Sequence, residues 1–140
     1  MKQNIIIYTD GGARGNPGPA GIGCAIFSAE NLAKPIATHK KYIGKTTNNQ
    51  AEYKAVVLGL EQAKKMGAYE VEVRLDSELV CNQITGKFKL KNSDFQESFI
   101  RIWNLRQGFK KCVFKYVPRE KNKLADKLVN EAIDSKLALS

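Results

Sequence analysis

Two aspartates of the chain each follow directly on a stretch that is typical of a buried strand. Asp10 ends a segment that begins with the apolar run Ile5–Tyr8, and Asp76 follows the alternating segment Glu70–Leu75. Ligands of open α/β sheets collect at the carboxyl ends of the strands, so both side chains are candidates for a functional site. The alternative is structural, because an aspartate at a strand end often caps a turn, and Asp76 could cap a helix that begins near Ser77.

Two further acids stand on the apolar faces of predicted helices. Glu52 shares a face with residues four, seven and eleven positions later, namely Val56, Gly59 and Ala63. Asp126 shares a face with residues three, seven and eleven positions later, namely Val129, Ile133 and Leu137. A carboxylate at the rim of a core is unfavourable unless a cation or several donors compensate it. Attraction to the helix dipole, worth at most ~1 kcal/mol, explains an acid in the first turn but not its position on the apolar face.

Four acids gathered at one end of a sheet would repel one another, although the net charge of the whole chain is +9. A pair of bound divalent cations would remove this repulsion. Oxygen ligands without a cluster of cysteine or histidine favour Mg²⁺, with Mn²⁺ as a substitute. Two such ions roughly 4 Å apart suit in-line phosphoryl displacement, in which one activates the attacking water and the other stabilises the leaving oxygen.

The predicted elements form a mixed α/β order that could bring these acids together. Strands are expected at Ile5–Tyr8 with Thr9 and Asp10 at its end, and at Gly21–Ser28, Pro35–Ile43, Glu70–Leu75 and Lys111–Val117. The turn-rich segment GGARGNPGP (residues 11–19) and the next connection hold no helix, so the first three strands should form an antiparallel meander. Helices precede the last two strands, which indicates crossovers that feed parallel strands.

The helices are predicted from caps and apolar faces. Thr47 and Gln50 match a capping box for a helix that runs to about Met66 and ends at Gly67. A short helix is expected at Ser77–Ile84. Ser93 and Gln96 repeat the capping box and open a helix through Arg106, with an apolar face made of Phe95, Phe99, Ile102 and Trp103. Pro118 ends the last strand, and a final helix is expected from about Lys121 to Leu137.

Length and composition predict a single globular domain over residues 1–140, with 43% hydrophobic and 26% charged residues. The basic balance suggests a polyanionic partner. Cys24, Cys81 and Cys112 are too widely spaced for a zinc pair or a disulfide framework, which favours reduced thiols. No apolar stretch is long enough for a membrane span or a signal peptide. We therefore expect a cytoplasmic protein, without membrane association or an obligate protein partner, that is a monomer.

Four segments of the chain closely resemble the signature segments of the type 1 ribonuclease H family. They are YTDGGARGNPGPAG, TTNNQAEY, LDSELV and VPREKNKLADKLVNEA, and they occur in the family's order over nearly the whole chain. They also resemble the related domains attached to reverse transcriptases. The resemblance implies a ribonuclease H-like α/β fold, with a five-stranded mixed sheet of order 3-2-1-4-5 and helices on both faces.

The resemblance also implies roles for the four acids and for the substrate. Asp10 would bridge two metal ions, Asp126 would complete the site of the ion that activates the nucleophile, and Glu52 and Asp76 would complete the other site. The partner would be an RNA–DNA hybrid, whose RNA strand is cut to leave 5′-phosphate and 3′-hydroxyl ends.

The resemblance implies that five positions contact the hybrid, four through side chains and one through the backbone. Asn48 and Asn49, with backbone groups near Gly11, would read the minor groove, where 2′-hydroxyls mark the RNA strand. Asn16 and Thr47 would hold a phosphate of the DNA strand. A structural role stays open for the last two, because Asn16 also fits a turn and Thr47 fits a helix cap.

The chain departs from the family pattern in two places. Many members carry a histidine shortly before the last helix, but that stretch here is Tyr116–Glu120, and His39 is the single histidine of the sequence. We expect His39 to be structural or exposed, and Glu120 to substitute in proton transfer or product release, although an acid at a helix start is also ordinary. The basic handle of some relatives is reduced to Gly86–Asn92 (GKFKLKN), whose lysines form either a substrate-binding lip or a solvated face.

Three hypotheses for function follow from these patterns. The leading one is a metal-dependent endoribonuclease acting on RNA–DNA hybrids. A catalytically silent module that binds hybrids or duplexes is the second, although no metal ligand is missing. Another polynucleotidyl transferase, such as an integrase or junction resolvase, is the third, but those proteins lack the Asn48-Asn49 and NPG pattern.

Overall fold

The computed structural model describes residues 2–86 and 95–138. Five strands form one sheet of order β3-β2-β1-β4-β5, with bounds β1 Asn4–Ala13, β2 Gly18–Ser28, β3 Ala37–Thr46, β4 Glu70–Leu75 and β5 Lys111–Tyr116. β1 is antiparallel to β2 and parallel to β4, β2 is antiparallel to β3, and β4 is parallel to β5. The predicted sheet order and strand directions are therefore confirmed.

The helices lie on both faces of this sheet, as predicted. Their bounds are α1 Asn48–Lys65, α2 Glu78–Ile84, α3 Gln96–Arg106 and α4 Lys123–Ala138, with a 3-10 turn over Arg119–Lys121. On one face, α1 and α3 cover a core that includes Ile7, Val56, Leu60, Val73 and Ile102. On the other face, Leu128 of α4 packs on Ala25 and Phe27 of β2. No helix among the described residues is long and apolar enough to cross a membrane.

The boundary between β1 and β2 differs from the prediction. β1 continues three residues beyond Asp10, and β2 already begins at Gly18, so only residues 14–17 connect the two strands. The glycine-rich segment that was expected to be a long turn instead extends the antiparallel ladder, with pairs that include Gly11–Ile22 and Ala13–Ala20. Composition misled here because glycine is common in turns, whereas Gly11 serves the close packing of α1 on the sheet.

The helix termini were predicted with mixed success. The Thr47 side chain accepts a hydrogen bond from the Gln50 backbone N–H at 3.2 Å, and Gly67 adopts φ +71° directly after the end of α1, as expected. The prediction for Trp103 was wrong, because this side chain is 53% exposed and Leu105 fills the core in its place. The proposed cap Ser93 lies outside the described residues.

Two smaller boundary differences affect the ends of the chain's elements. β3 was expected at Pro35–Ile43 but begins at Ala37 and continues to Thr46, next to the cap of α1. The last helix was expected from Lys121 but begins at Lys123, after the 3-10 turn. Its apolar face also ends earlier than predicted, because Leu137 is exposed.

Candidate active site

Asp10 and Asp76 lie side by side where the parallel pairing of β1 with β4 stops. The last pair of this ladder is Thr9–Leu75, so the two aspartates are the next residues of each strand. Asp76 follows the end of β4 as predicted. Asp10 does not end its strand, because it still pairs with Gly23 of β2. The two side chains therefore share one end of the ladder, although β1 itself runs on.

Glu52 reaches this end of the sheet because α1 lies unusually close to β1. A Cβ atom at Gly11 would be 2.2 Å from the carbonyl oxygen of Ala51 and 2.7 Å from the backbone nitrogen of Glu52. Only glycine permits this contact between two backbones. The second turn of α1 thus rests on β1 one residue after Asp10, and Glu52 is buried beside it, 7% exposed.

α4 brings the fourth acid across the opposite face of the sheet. A Cβ atom at Gly23 would be 2.8 Å from the Cβ of Leu128 and 3.1 Å from the carbonyl oxygen of Ala125. Glycine at this position, directly opposite Asp10 in the β1–β2 ladder, lets α4 approach the sheet. Asp126 occupies the first turn of α4 and is partly exposed.

The four predicted acids line one cavity of about 420 Å³. Carboxylate oxygens of Asp10, Glu52 and Asp76 lie within 4.8 Å of one another, which is close enough for a shared metal ion. Asp126 is not part of this group of three, but it is near enough to Asp10 to affect its pKa. The structure therefore brings all four together, three of them tightly.

Burial and the charges of neighbouring acids disfavour the ionised forms of Asp10 and Glu52. Burial, followed by the charge of Asp76, raises the pKa of Asp10 to about 7. Burial, followed by the charge of Asp10, also raises the pKa of Glu52 well above its usual value, although a hydrogen bond from the Gly11 backbone opposes this rise. The Oε2 atom of Glu52 is buried without a hydrogen-bond partner in the described part of the chain. This oxygen lacks a compensating donor, and a bound cation would supply the missing interaction.

Asn122 holds Asp76 in place and was missed by the sequence analysis. Its buried side-chain amide donates to the carbonyl oxygen of Thr9 at 2.8 Å and to Oδ2 of Asp76 at 3.1 Å. The residue thus connects the segment before α4 to β1 and to Asp76, where the β1–β4 ladder stops. No signal in the sequence indicated this role, because Asn122 stands between two lysines in a segment that looks like a solvated surface.

The residues implied in hybrid binding surround the cavity. Asn48 Oδ1 accepts a hydrogen bond from the Ala13 backbone at 2.8 Å, and Asn16 Oδ1 accepts one from the Asn48 backbone at 3.0 Å. Asn48, Asn49 and Gly11 line the acidic cavity. A neighbouring depression contains Asn16, Thr47 and Asn49. Asn16 and Thr47 therefore do occupy a turn and a helix cap, and they also lie at a surface next to the acids.

The residues around the missing histidine are arranged differently from the prediction. Glu120 is exposed in the 3-10 turn and is not among the described residues that line the cavity, whereas its neighbour Arg119 is. Arg14 is a second lining residue that the sequence analysis did not single out. His39 lies in β3 opposite Cys24, is partly buried and is not among the described residues that line the cavity. The lysines of the expected lip, Lys87, Lys89 and Lys91, lie outside the described residues.

A family model described as "Reverse transcriptase-like" matches residues 8–132, a range that contains all four acids. The chain belongs to the type 1 ribonuclease H family. It is 40% identical over 133 residues to the bifunctional protein Rv2228c of Mycobacterium tuberculosis, and 41% identical over 127 residues to ribonuclease HI of Halobacterium salinarum. These alignments cover 95% and 91% of the chain. They cover only 36% and 63% of the two relatives, so the chain spans about a third of the mycobacterial protein.

Solved structures of this family match the whole fold. The N-terminal RNase H domain of Rv2228c, solved as a fusion with maltose-binding protein, superposes with a TM-score of 0.93 at 38% identity, covering 99% of this chain and 100% of that one. LC11-RNase H1, solved in complex with an RNA/DNA hybrid, superposes with a TM-score of 0.89 at 48% identity, covering 95% and 99%. The ribonuclease H-like fold expected from the sequence is thereby confirmed.

Proposed function

We propose that the chain is an endoribonuclease that hydrolyses the RNA strand of RNA–DNA hybrids, leaving 5′-phosphate and 3′-hydroxyl ends. The observation that carries this proposal is the group of three carboxylates at the end of the β1–β4 ladder, within 4.8 Å of one another and joined in one cavity by Asp126. Membership of the ribonuclease H family supports the reaction class. The hybrid bound to LC11-RNase H1 supports the choice of substrate.

The donor set fits a pair of Mg²⁺ ions, with Mn²⁺ as a substitute. All four candidate ligands offer carboxylate oxygens, the type that these hard cations prefer. Among the described residues, the buried Oε2 of Glu52 has no hydrogen-bond partner. Asp10, Glu52, Asp76 and Asp126 would together hold these ions. When bound, such ions supply Lewis acidity that activates water and stabilises the leaving oxygen.

The chain's own residues would set the geometry of the reaction. Gly11 and Gly23 allow two helices to deliver Glu52 and Asp126 to the strand that bears Asp10, and Asn122 fixes the orientation of Asp76. Because these side chains are held by secondary structure and by a buried amide, the ligands are preorganised before substrate binds.

Binding of the hybrid would use amides whose oxygens are already engaged. The Oδ1 atoms of Asn48 and Asn16 accept backbone hydrogen bonds, so their NH₂ groups remain to donate outward. The side-chain amides of Asn48 and its neighbour Asn49 can donate hydrogen bonds to 2′-hydroxyls and base edges in the minor groove. Donors from Asn16 and the hydroxyl of Thr47, in the neighbouring depression, suit a phosphate of the DNA strand. Backbone groups near Gly11, which lines the same cavity as Asn48 and Asn49, would contact the minor groove with them.

A cleavage assay tests this proposal directly. The purified protein is incubated with labelled RNA–DNA hybrid, DNA–DNA duplex and single-stranded RNA, with Mg²⁺, with Mn²⁺ or with chelator. We expect cleavage of the hybrid's RNA strand only, and only with a divalent ion. Asp10→Asn should abolish cleavage while leaving hybrid binding intact. Glu30→Gln, which removes one negative charge at an exposed position near the opposite end of β2, is the matched control and should cut normally.

The other outcomes of this assay are equally informative. Hybrid binding without cleavage under any ion would support the silent module in place of the enzyme. Cleavage of DNA–DNA duplex would favour another polynucleotidyl transferase. Sequencing of the product ends checks the predicted 5′-phosphate and 3′-hydroxyl groups.

We also propose a reducing compartment such as the cytoplasm, and action as a monomer. Cys24, Cys81 and Cys112 are all free thiols. Burial raises the pKa of Cys24 to about 12 and that of Cys112 to about 11, so neither is a reactive thiolate at neutral pH. Sedimentation of the purified protein measures the oligomeric state.

A further inference from the structure

We propose that Arg14 is a phosphate-contacting residue of the cavity, held in place by Asp134 and Asn130 of α4. The inference rests on the proposed function, since it concerns how the same cavity receives a nucleic acid. It goes beyond that function because it assigns a further binding residue and identifies the side chains that position it.

The backbone of Arg14 is fixed at the turn between β1 and β2. Its N–H donates to the carbonyl oxygen of Pro19 at 2.8 Å, which closes the hairpin. A Cβ atom at Gly18 would be 2.0 Å from the carbonyl oxygen of Arg14, so this contact also requires glycine. The side chain therefore starts from a defined position beside the acidic cavity.

The guanidinium group of Arg14 is held by α4. Its NH1 atom lies 2.5 Å from Oδ1 of Asp134, and its NH2 atom lies 3.2 Å from Oδ1 and 3.5 Å from the backbone oxygen of Asn130. These two partners are one helical turn apart. They continue the row that begins with Asp126, whose backbone oxygen accepts a hydrogen bond from the Asn130 amide at 3.1 Å. The same row of α4 thus presents a candidate metal ligand and the anchors of the arginine.

Arg14 keeps donors for a ligand after these contacts are made. A guanidinium has five N–H groups, and the three contacts described engage only part of them. The side chain is 39% exposed and lies in the wall of the acidic cavity. A surface ion pair of this kind adds little stability by itself, so its main effect is to restrict the orientation of the arginine.

The charge of the cavity explains why an arginine is needed there. Four carboxylates line it, and a nucleic acid brings further negative charge. Among the described lining residues only Arg14 and Arg119 are basic. Arginine donates in a fork that matches phosphate oxygens, and its anchored position favours a backbone phosphate next to the one that reacts.

The test compares Arg14→Ala and Arg14→Lys with Arg101→Ala. Arg101 is the matched control because it also pairs with a carboxylate of a neighbouring helix, Glu61 at 2.9 Å, but lines a different depression. Hybrid affinity is measured at several salt concentrations in chelator, where no cleavage can occur. Steady-state kinetics with Mg²⁺ and melting temperatures are measured in parallel.

For Arg14→Ala we expect roughly three- to tenfold weaker binding, and a slope of log affinity against log salt that is smaller by about 0.9, the value for one phosphate contact. KM should rise by a similar factor, with kcat nearly unchanged. Arg14→Lys should restore the salt slope but recover only part of KM, because an ammonium group cannot bond Asp134, Asn130 and a phosphate together. Arg101→Ala should leave the slope and KM unchanged.

Two results would overturn the inference. If Arg14→Ala lowers the melting temperature but leaves the salt dependence of affinity and KM unchanged, the arginine has only a structural role, which is to connect the β1–β2 hairpin with α4. If Arg101→Ala weakens binding as much as Arg14→Ala, the effect is that of net charge alone. Wild-type protein that binds hybrid but never cleaves it would contradict the proposed function instead, and the salt slopes would still decide the role of Arg14.

Discussion

The two helices that carry acids to the cavity, α1 and α4, make different contacts with the sheet. At Gly11, α1 touches β1 backbone to backbone, and a Cβ atom would meet Ala51 at 2.2 Å. At Gly23, a Cβ atom would instead meet the Cβ of Leu128 in α4 at 2.8 Å, with the nearest backbone atom, the carbonyl oxygen of Ala125, at 3.1 Å. Glu52 is correspondingly buried and belongs to the tight group of three acids, whereas Asp126 is partly exposed and lies outside it. Three of the candidate ligands thus form a tight group, and the fourth lies at its more exposed side.

The sharpest test of this difference compares Glu52→Gln with Asp126→Asn. Each change removes one charge and keeps the size of the side chain. Removing Glu52 breaks the group of three, and several kcal/mol of transition-state stabilisation should be lost, or roughly a thousandfold in kcat. Asp126→Asn should cost at least tenfold less, and a higher Mn²⁺ concentration should restore more of its activity. The measurement is kcat for hybrid cleavage over a series of metal concentrations. Equal losses that metal cannot restore would show that both helices are equally constrained.

The close approach of α1 is tested by Gly11→Ala, with Gly12→Ala as its matched control. At Gly11 the added methyl group overlaps the backbone of Ala51, so the free energy of unfolding should fall by about 3 kcal/mol or more. At Gly12 the nearest atoms are 3.8 and 3.9 Å away, which is ordinary contact, and the loss should stay below about 1 kcal/mol. Chemical denaturation measures both. A Gly11→Ala protein of normal stability would mean that α1 can move away from β1 without cost.

The pH dependence of stability tests the uncompensated charge in the tight group. The pKa of Asp10 is raised from 3.8 to about 7, so the metal-free folded protein binds a proton more tightly than the unfolded chain does. This contribution to stability is complete below pH 4 and is lost as the pH rises through about 7. At pH 8, metal-free Asp10→Asn should therefore be more stable than wild type, by on the order of 2 to 4 kcal/mol, and the difference should shrink towards pH 4.

Mg²⁺ should reverse this dependence, since it binds the deprotonated carboxylates. Its stabilising effect on the wild type should be larger at pH 8 than at pH 5, and small for Asp10→Asn at either pH. Melting temperatures with and without Mg²⁺ measure this effect. If wild type and Asp10→Asn have equal metal-free stability at pH 8, the carboxylate is compensated in some other way.

The contrast between α1 and α4 also shows what the sequence could predict. The acids at positions 52 and 126 were identified from helical periodicity, because a carboxylate on an apolar face conflicts with burial. Periodicity reports which face of a helix is buried, but not how far that face lies from the sheet. The close approaches depend on Gly11 and Gly23, and composition alone assigned Gly11 to a turn. The extent of β1 was predicted wrongly for the same reason.

Long-range hydrogen bonds were beyond sequence reasoning for a different reason. Asn122 contacts Thr9 and Asp76, and Arg14 contacts Asp134, across 113, 46 and 120 positions of the chain. Side-chain contacts between distant segments follow from the three-dimensional arrangement and leave no periodic signal. The prediction for Trp103 shows the opposite error, because a periodic signal was present but did not mean burial. Its spacing fits the apolar face of α3, yet the residue is half exposed.

The smallest expected effect on cleavage concerns the turn that precedes α4, where either Glu120 or Arg119 could contribute to the reaction. A part for Glu120 in proton transfer or product release stays a prediction, and its exposed position outside the cavity lining argues for a modest contribution. Glu120→Gln should therefore lower kcat by no more than about threefold.

Arg119→Ala should lower kcat/KM by about tenfold, since it removes a positive charge from an acidic cavity that must accept a polyanion. Single-turnover and steady-state rates, compared over a pH series, separate the two residues. If Glu120→Gln slows steady-state turnover far more than the single-turnover rate, the carboxylate acts in product release. The more exposed α4 end of the cavity would then control how fast the enzyme is regenerated.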